Sequence, residues 1–407
     1  MSSSSSASLF ASLDDIDISG KRIFFRTDLN VPMADGVITD TTRIDRTAPG
    51  IAALAARGAR VIVAAHFGRP KGRRDMSASL APIAPALAKA VGRPVDFAED
   101  CIGSAVREKS RQMQDGDILL LENLRFHPGE EQGEESFASA LAELADIYVN
   151  DAFSASHRDH ASIAALAQFL PAYPGPLMAE ELAALTAALE APTRPLAAVV
   201  GGAKVSTKLA VLNHLVEKVE TLIVGGGMAN TFLLAKGIGI GGSLAEADMA
   251  DEAGRIMARA EETGCQLILP DDVVLAREFR KGAPARTLTL GEGEIADDEM
   301  ILDTGPLTVA RAMAAVDQSH TLVWNGPMGA FELPPFDAAT VALARHVARR
   351  SSESGLVSVA GGGDTVAALN TAGVEQDFHY VSTAGGAFLE WMEGRVLPGV
   401  AALMVRG

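Results

Sequence analysis

Short apolar runs alternate along this chain with Ala/Leu-rich stretches of helical character. In the first part the runs RIFFR (22–26), RVIVAA (60–65), DILLL (117–121) and DIYV (146–149) predict strands, and APGIAALAARGA and SFASALAELA predict helices between them. The second part repeats the alternation with LAAVV, TLIV, QLIL, TLVW, LVSVA and HYVS. Such a βαβα rhythm implies a parallel sheet covered on both faces. Between the two parts lies PAYPGPLMAEELAALTAALEAPTRP, Pro/Gly-rich at its start, then helical from about Ala179 to Glu190, with Pro192 and Pro195 after it. It predicts a domain boundary made of a loop and a rigid connecting helix.

The two parts differ at the ends of their strands. FRTDLNVP spaces Arg26, Asp28 and Asn30 two residues apart, and Pro32 stops any interior strand. Side chains so spaced on a strand share one face. AHFGRP, ENLRFH and NDAFSASHRDH continue this charged series. In the second part the strands run into glycine instead: VVGGAK, IVGGGMAN, WNGPMG, VAGGGDT and STAGGAF. Ligands of open parallel sheets bind beyond the carboxyl ends of the strands. The contrast therefore implies two different half-sites.

The first half-site gathers Arg26, Arg43, His66, Arg69, Arg125, His157 and Arg158. Arginine grips carboxylate or phosphate through paired donors. Any one of these arginines reads equally well as a surface salt bridge, but arginines at successive strand ends call for an anion. Asp28 and Asn30 then serve as acceptors for the ligand's hydroxyl groups. The second half-site suits a nucleotide, because glycine turns bring backbone N–H groups to phosphates at a helix N-terminus. GGAKVSTK adds Lys204 and Lys208, four apart and so on one face if helical. GGGDT adds the carboxylate that a magnesium site requires. A single Gly-Gly turn, taken alone, is better explained by close packing.

Composition narrows the partners. The 407 residues exceed the usual size of a single core, which favours two domains. The net charge of −17 argues against nonspecific nucleic-acid or anionic-membrane binding. Cys101 and Cys265 lie too far apart in sequence for a zinc-type spacing or a disulfide framework. MSSSSSASLF reads as a tail rather than a signal peptide, and no apolar run approaches the roughly 18 residues of a membrane span. A reducing cytoplasm is the simplest compartment.

Two further patterns carry little. GIGIGG (237–242) fits a dinucleotide fingerprint by letter, but it comes after a helix-like run rather than a strand. His157 and His160 lack a third ligand at a familiar metal spacing. No P-loop and no protein-kinase catalytic loop is present.

FRTDLNVP, AHFGRPKG, LLENLRFHPGEE, YVNDAFSASHRDHAS, GGAKVSTKL, LIVGGGMANTF, VWNGPMGAFE, AGGGDTV and STAGGAFLEWMEG succeed one another in this order. In order and spacing the set resembles the phosphoglycerate kinase family over almost the whole chain. The resemblance implies Mg²⁺-dependent phosphoryl transfer between ATP and the carboxylate of 3-phosphoglycerate, giving ADP and 1,3-bisphosphoglycerate. It implies an α/β fold of two Rossmann-like domains with parallel sheets, facing each other across a cleft, joined by a helix, and usually monomeric. Residues 1–172 would bind phosphoglycerate, 173–191 would form the hinge loop and connecting helix, 192–384 would bind nucleotide, and 385–407 would return to the first domain. By the same likeness Asp28, Asn30, Arg43, His66, Arg69, Arg125 and Arg158 match the substrate-binding positions. Gly202, Ala203, Lys208, Asn325, Glu332, Gly362, Gly363, Asp364 and Thr365 match the nucleotide positions, with Asp364 on the metal and Glu332 on the ribose. Lys204 matches the lysine that accompanies the transferring phosphoryl group, and the charge gathered there calls for Arg43 as a second cation. The chain departs from the common pattern at Ser154, Ala155, Thr207, Ala384 and Phe388, and none of these removes a matched charged group.

An ionised carboxylate acceptor needs no general base and no covalent intermediate, so catalysis reduces to positioning and charge stabilisation. Closure of two half-sites would also keep water from an acyl phosphate. Two other readings stay open on the sequence. One is a non-catalytic nucleotide-binding regulator of the same fold, which the intact charged set disfavours. The other is a nicotinamide-dependent dehydrogenase, which lacks a credible fingerprint.

Overall fold

A computed structural model of the chain describes residues 10–34 and 36–404. The serine run near the start lies outside the described residues. The chain divides into two compact units, 1–182 with 396–407, and 183–395.

In the first unit the strands are β1 (Arg22–Arg26), β2 (Met33–Ala34), β3 (Val37–Ile38), β4 (Arg60–Ala64), β5 (Asp96–Ala98), β6 (Ile118–Leu121), β7 (Ile147–Asn150) and β8 (Ala172–Pro174). Six of them form one parallel sheet in the order β5-β6-β4-β1-β7-β8, and β2 and β3 form a small antiparallel hairpin. Strands buried on both faces carry apolar residues continuously rather than in alternation. Accordingly Ile23 and Phe25 enter a core with Ile51, Val63, Leu87 and Leu120. Phe24 points the other way, with its ring 6.3 Å from that of Tyr148.

The second unit holds β9 (Leu196–Val200), β10 (Thr221–Val224), β11 (Gln266–Ile268), β12 (Asp272–Ala276), β13 (Ala285–Thr289), β14 (Met300–Thr304), β15 (Thr321–Asn325), β16 (Val357–Gly361) and β17 (Tyr380–Ser382). Its main sheet is parallel in the order β11-β10-β9-β15-β16-β17. Trp324, Val199, Leu343, Val347 and Leu369 share its core. The strands β13-β12-β14 make a separate antiparallel sheet that the apolar pattern did not announce. The strand β13 has three exposed and two half-buried residues, so it carries little hydrophobic signal.

The connecting segment is helical from Pro176 to Leu185 and continues as a π-helical turn from Thr186 to Glu190. The helix thus starts earlier than Ala179, since Pro176 fits its first turn, where a missing N–H costs nothing. The boundary between the compact units falls inside it, after Leu182. The chain rejoins the first unit at Val396 rather than at 385. Residues 386–392 form a helix packed on the helix Leu209–Leu215 of the second unit, which keeps the intervening stretch there. Among the described residues no helix is long and apolar enough to cross a membrane.

Candidate active site

In the first unit β1 ends at Arg26, so Asp28 and Asn30 lie on the loop beyond it and do not continue one strand face. Arg26 itself is fully buried. Its guanidinium donates to Ser162 Oγ (2.9 Å) and to the Thr27 carbonyl, and it meets His66 Nδ1 (3.1 Å). The Ser162 hydroxyl donates in turn to Glu130 (2.6 Å), which is also buried. Arg26 is therefore a fixed internal cation that supports the cluster from below.

Asp28 collects three donors: Arg43 at 3.0 Å, the Ser154 hydroxyl at 2.6 Å and the Asn30 amide at 2.9 Å. Burial opposes its ionisation, yet these partners outweigh it and hold the carboxyl below its usual range. Arg43 stands in the first turn of the helix Thr42–Ala56 and also donates to the Asn30 carbonyl (2.9 Å). Asn30 Oδ1 accepts from the Gly68 amide, and the Gly68 carbonyl accepts from Arg125 Nη1, each at 2.9 Å. The loops after β1, β4 and β6 are thereby knitted into one surface. Asn123 reinforces it by accepting from the amides of Phe67 and Arg125.

Positive charge here resides on the arginines. Burial, then Arg26, keep His66 well below its ordinary value, so its ring is neutral. Burial, then Arg125, Arg26 and Arg158, depress His160 to about 3. Burial also lowers the buried Arg125, against the pull of Glu131. Arg69 and Arg158 are exposed, and their side chains make no hydrogen bond or ion pair among the described residues. Arg43 and Arg125 are paired with Asp28 and Glu131, so it is Arg69 and Arg158 that leave the cluster positive and able to accept an anion.

The second unit contains a cavity of about 560 Å³, within the usual range for small-ligand sites. Gly202, Ala203, Glu332 and Asp364 of the predicted set line it. Asn325, Lys208, Gly362, Gly363 and Thr365 do not. Lys208 is not on a helix face with Lys204, because residues 205–208 form a turn and the helix begins at Leu209. Lys204 is exposed. Lys208 is half-buried, and Nζ donates to Asn325 Oδ1 (2.6 Å), the Gly201 carbonyl (2.7 Å) and the Asn325 carbonyl (3.0 Å). Burial lowers its pKa to about 8, with Asp364 pulling the other way. Asn325 Nδ2 donates to the Gly361 carbonyl, and the buried Thr365 hydroxyl accepts from the Gly326 amide, both at 2.7 Å. These side chains brace the glycine turns beside the cavity. Gly362, with φ of 98°, caps the helix Gly363–Ala372, whose first turn carries Asp364.

The cavity walls were not foreseen. They include Leu244, Phe279, Met300, Leu302 and Phe331, apolar residues spread over separate loops and β14. Beneath them Asp303 accepts the amides of Thr304 and Ala339, both at 2.9 Å, and burial raises it to about 8. Ser154 was likewise missed as a ligand of Asp28, since it stands out in the sequence only as a departure from a common pattern. No local periodicity marks such residues. The segment 237–242 lies after the helix Gly227–Ala235 and contributes Gly242 to the wall, with no strand before it.

The family described as Phosphoglycerate kinase matches residues 13–395. The phosphoglycerate kinase of Methylobacterium radiotolerans is 58% identical over 401 residues, covering 98% of this chain and 100% of that protein. That of Rhodopseudomonas palustris is 57% identical over 397 residues, covering 98% and 99%. Among solved structures, phosphoglycerate kinase from Coxiella burnetii superposes with a TM-score of 0.91 at 42% identity, covering 97% of this chain and 98% of that one. The Pyrococcus horikoshii enzyme superposes at 0.78 with 30% identity, covering 96% and 98%. A parallel six-stranded sheet in each unit, the charged strand ends of one, the glycine turns of the other and these full-length likenesses agree: the chain belongs to the phosphoglycerate kinase family.

Proposed function

We propose that this chain catalyses reversible phosphoryl transfer between ATP and the carboxylate of 3-phosphoglycerate, giving ADP and 1,3-bisphosphoglycerate. The observation that carries the reading is an under-neutralised arginine cluster at the strand ends of one unit, in a chain whose other unit has an apolar cavity rimmed by glycine turns. Arg69, Arg125 and Arg158 hold the acceptor's phosphate. Asp28, Asn30 and neutral His66 orient its hydroxyl and carboxylate. The apolar wall receives the base, Glu332 the ribose, and the turns around Gly202, Ala203, Gly362 and Gly363 the phosphates. Lys208, Asn325 and Thr365 brace those turns from behind.

The acceptor carboxylate is already ionised, so no base is required. Arg43 and Lys204 offset the charge that gathers on the transferring group, and this preorganised compensation lowers the barrier. The Asp364 carboxylate, exposed beside a helix N-terminus, fits a Mg²⁺ ion whose remaining ligands are water and nucleotide phosphates. When bound, that ion neutralises phosphate charge. We further read the chain as a cytoplasmic monomer, with the segment 173–191 as its hinge.

The test is a coupled assay of ATP, 3-phosphoglycerate and Mg²⁺, with melting curves in ADP and in NADH. Turnover with stabilisation by ADP alone is expected. Binding of both substrates without turnover would overturn the reading.

A further inference from the structure

At the carboxyl ends of two adjacent strands of the first unit, a second chemical cluster stands apart from the residues given roles above. Asp100 and Cys101 lie beyond the edge strand β5, and His127 lies after the short helical turn Leu124–Phe126 beyond β6. One donor atom from each, a carboxylate oxygen, Sγ and a ring nitrogen, lies within 4.8 Å of the other two. His127 Nε2 is 2.6 Å from Asp100 Oδ1, and the same oxygen accepts the Cys101 amide at 2.7 Å. The His127 ring is further fixed by stacking on Phe137 at 5.3 Å between centroids.

We propose that Asp100, Cys101 and His127 form a binding site for one borderline divalent cation, zinc above all, with water completing the coordination. Three features support the choice. First, sulfur, nitrogen and oxygen donors together select zinc or cobalt over magnesium, which demands oxygen ligands. Secondly, tetrahedral zinc at about 2.0–2.3 Å from its ligands places donors roughly 3.3–3.6 Å apart. The His127–Asp100 pair, at 2.6 Å, must open by under ~1 Å, and Cys101, within 4.8 Å of both, must close by at most about 1.5 Å. Thirdly, access is one-sided: Asp100 and His127 are 43% and 27% exposed at their side chains, and Cys101 is fully buried beneath them. A cation can therefore reach Asp100 and His127 from solvent, and below them it meets a Cys101 thiol that burial, then Asp100, keeps protonated until a metal draws the proton off.

The proton balance is simple. The metal takes the place of the hydrogen between His127 Nε2 and Asp100, the ring then holding its proton on Nδ1, and the Cys101 thiol proton passes to solvent as the sulfur–metal bond forms. Arg74, the cation that Asp100 now faces, must yield.

The metal-free full chain should be titrated with Co²⁺ and then Zn²⁺. We expect one equivalent of Co²⁺ to give a thiolate-to-cobalt charge-transfer band that stoichiometric Zn²⁺ bleaches and excess Mg²⁺ leaves intact. Cys101→Ser should abolish the band, and His127→Gln and Asp100→Asn should each weaken affinity at least tenfold. A band that survives Cys101→Ser, affinity unchanged in His127→Gln, or cobalt bound without a thiolate band overturns the proposal. Should Cys101→Ser fail to fold, His127→Gln, on the half-exposed side of the site, still decides it. No outcome depends on phosphoryl transfer.

Discussion

Lys208 Nζ donates at 2.6 Å to Asn325 Oδ1, and so ties the turn after β9 to the end of its neighbour β15. The cation that the sequence shows as a free phosphate ligand is thus already engaged, half-buried and close to its titration point.

Lys208 predicts proton uptake on nucleotide binding. Its pKa of about 8 lies under the ordinary 10.5, with burial the main cause. A polyphosphate raises it again, so calorimetry near pH 8 in buffers of different ionisation enthalpy should reveal a fraction of a proton bound per ADP. Lys208→Met should bind more weakly and lose the buffer dependence. Equal uptake in both proteins would show that another group is responsible. In the free protein the native state binds fewer protons than the unfolded chain between about 8 and 10.5. The cost of burying this cation is therefore full below that window and relieved as pH rises through it.

Asp151 predicts the opposite slope. Its Oδ1 accepts the amides of Leu177 and Met178 at the start of the connecting helix, while Oδ2 is buried without a hydrogen bond. Burial lifts the carboxyl from 3.8 to about 7. The folded state therefore holds the extra proton, and the benefit is complete below 3.8 and lost as pH rises through about 7. Asparagine mimics the protonated acid. Thermal unfolding from about pH 4 to about pH 8 should show Asp151→Asn gaining on wild type as pH rises. A constant difference would refute the assignment.

Kinetics should separate the cations by position. Arg158 is exposed and its side chain makes no hydrogen bond or ion pair among the described residues, so Arg158→Ala should raise the KM for 3-phosphoglycerate about tenfold or more with little change in kcat. Arg43→Ala and Lys204→Ala should instead lower kcat about a hundredfold with melting shifts by ligand retained. Steady-state assays of the three variants check this, and a kcat effect confined to Arg158→Ala would reverse the roles.

Gly201 predicts a backbone limit. A Cβ there would sit 1.8 Å from the Pro327 carbonyl oxygen, an approach of main chain to main chain that no rotamer relieves. Gly201→Ala should destabilise by about 2 kcal/mol or more and abolish ADP binding. Chemical denaturation and calorimetry measure both. Wild-type stability in this variant would mean that the two turns can part freely.

Much of the architecture was legible because strand signals are local. RIFFR, LAAVV and TLVW each became a strand within a residue of expectation, since runs buried on both faces have little freedom to be anything else. Chemistry at strand ends was legible for the same reason: a parallel sheet brings the residues after each strand to one edge. That logic located Asp28, Asn30, His66, Arg125 and Arg158 without any contact being known.

It could not supply which of these groups face outward or the partner that each one touches. Arg26 looked like its neighbours but is buried against Ser162, 136 residues away. Lys204 and Lys208 looked alike, yet one is exposed and the other is folded back beneath a glycine turn. The cavity walls, the antiparallel sheet beside them and the Asp100, Cys101, His127 cluster join residues distant in sequence. The sequence by itself determined the strands and the class of chemistry at their ends, because both arise from short-range pattern. Only the tertiary structure decided burial, protonation and partnership, because these depend on atoms that the fold alone brings together.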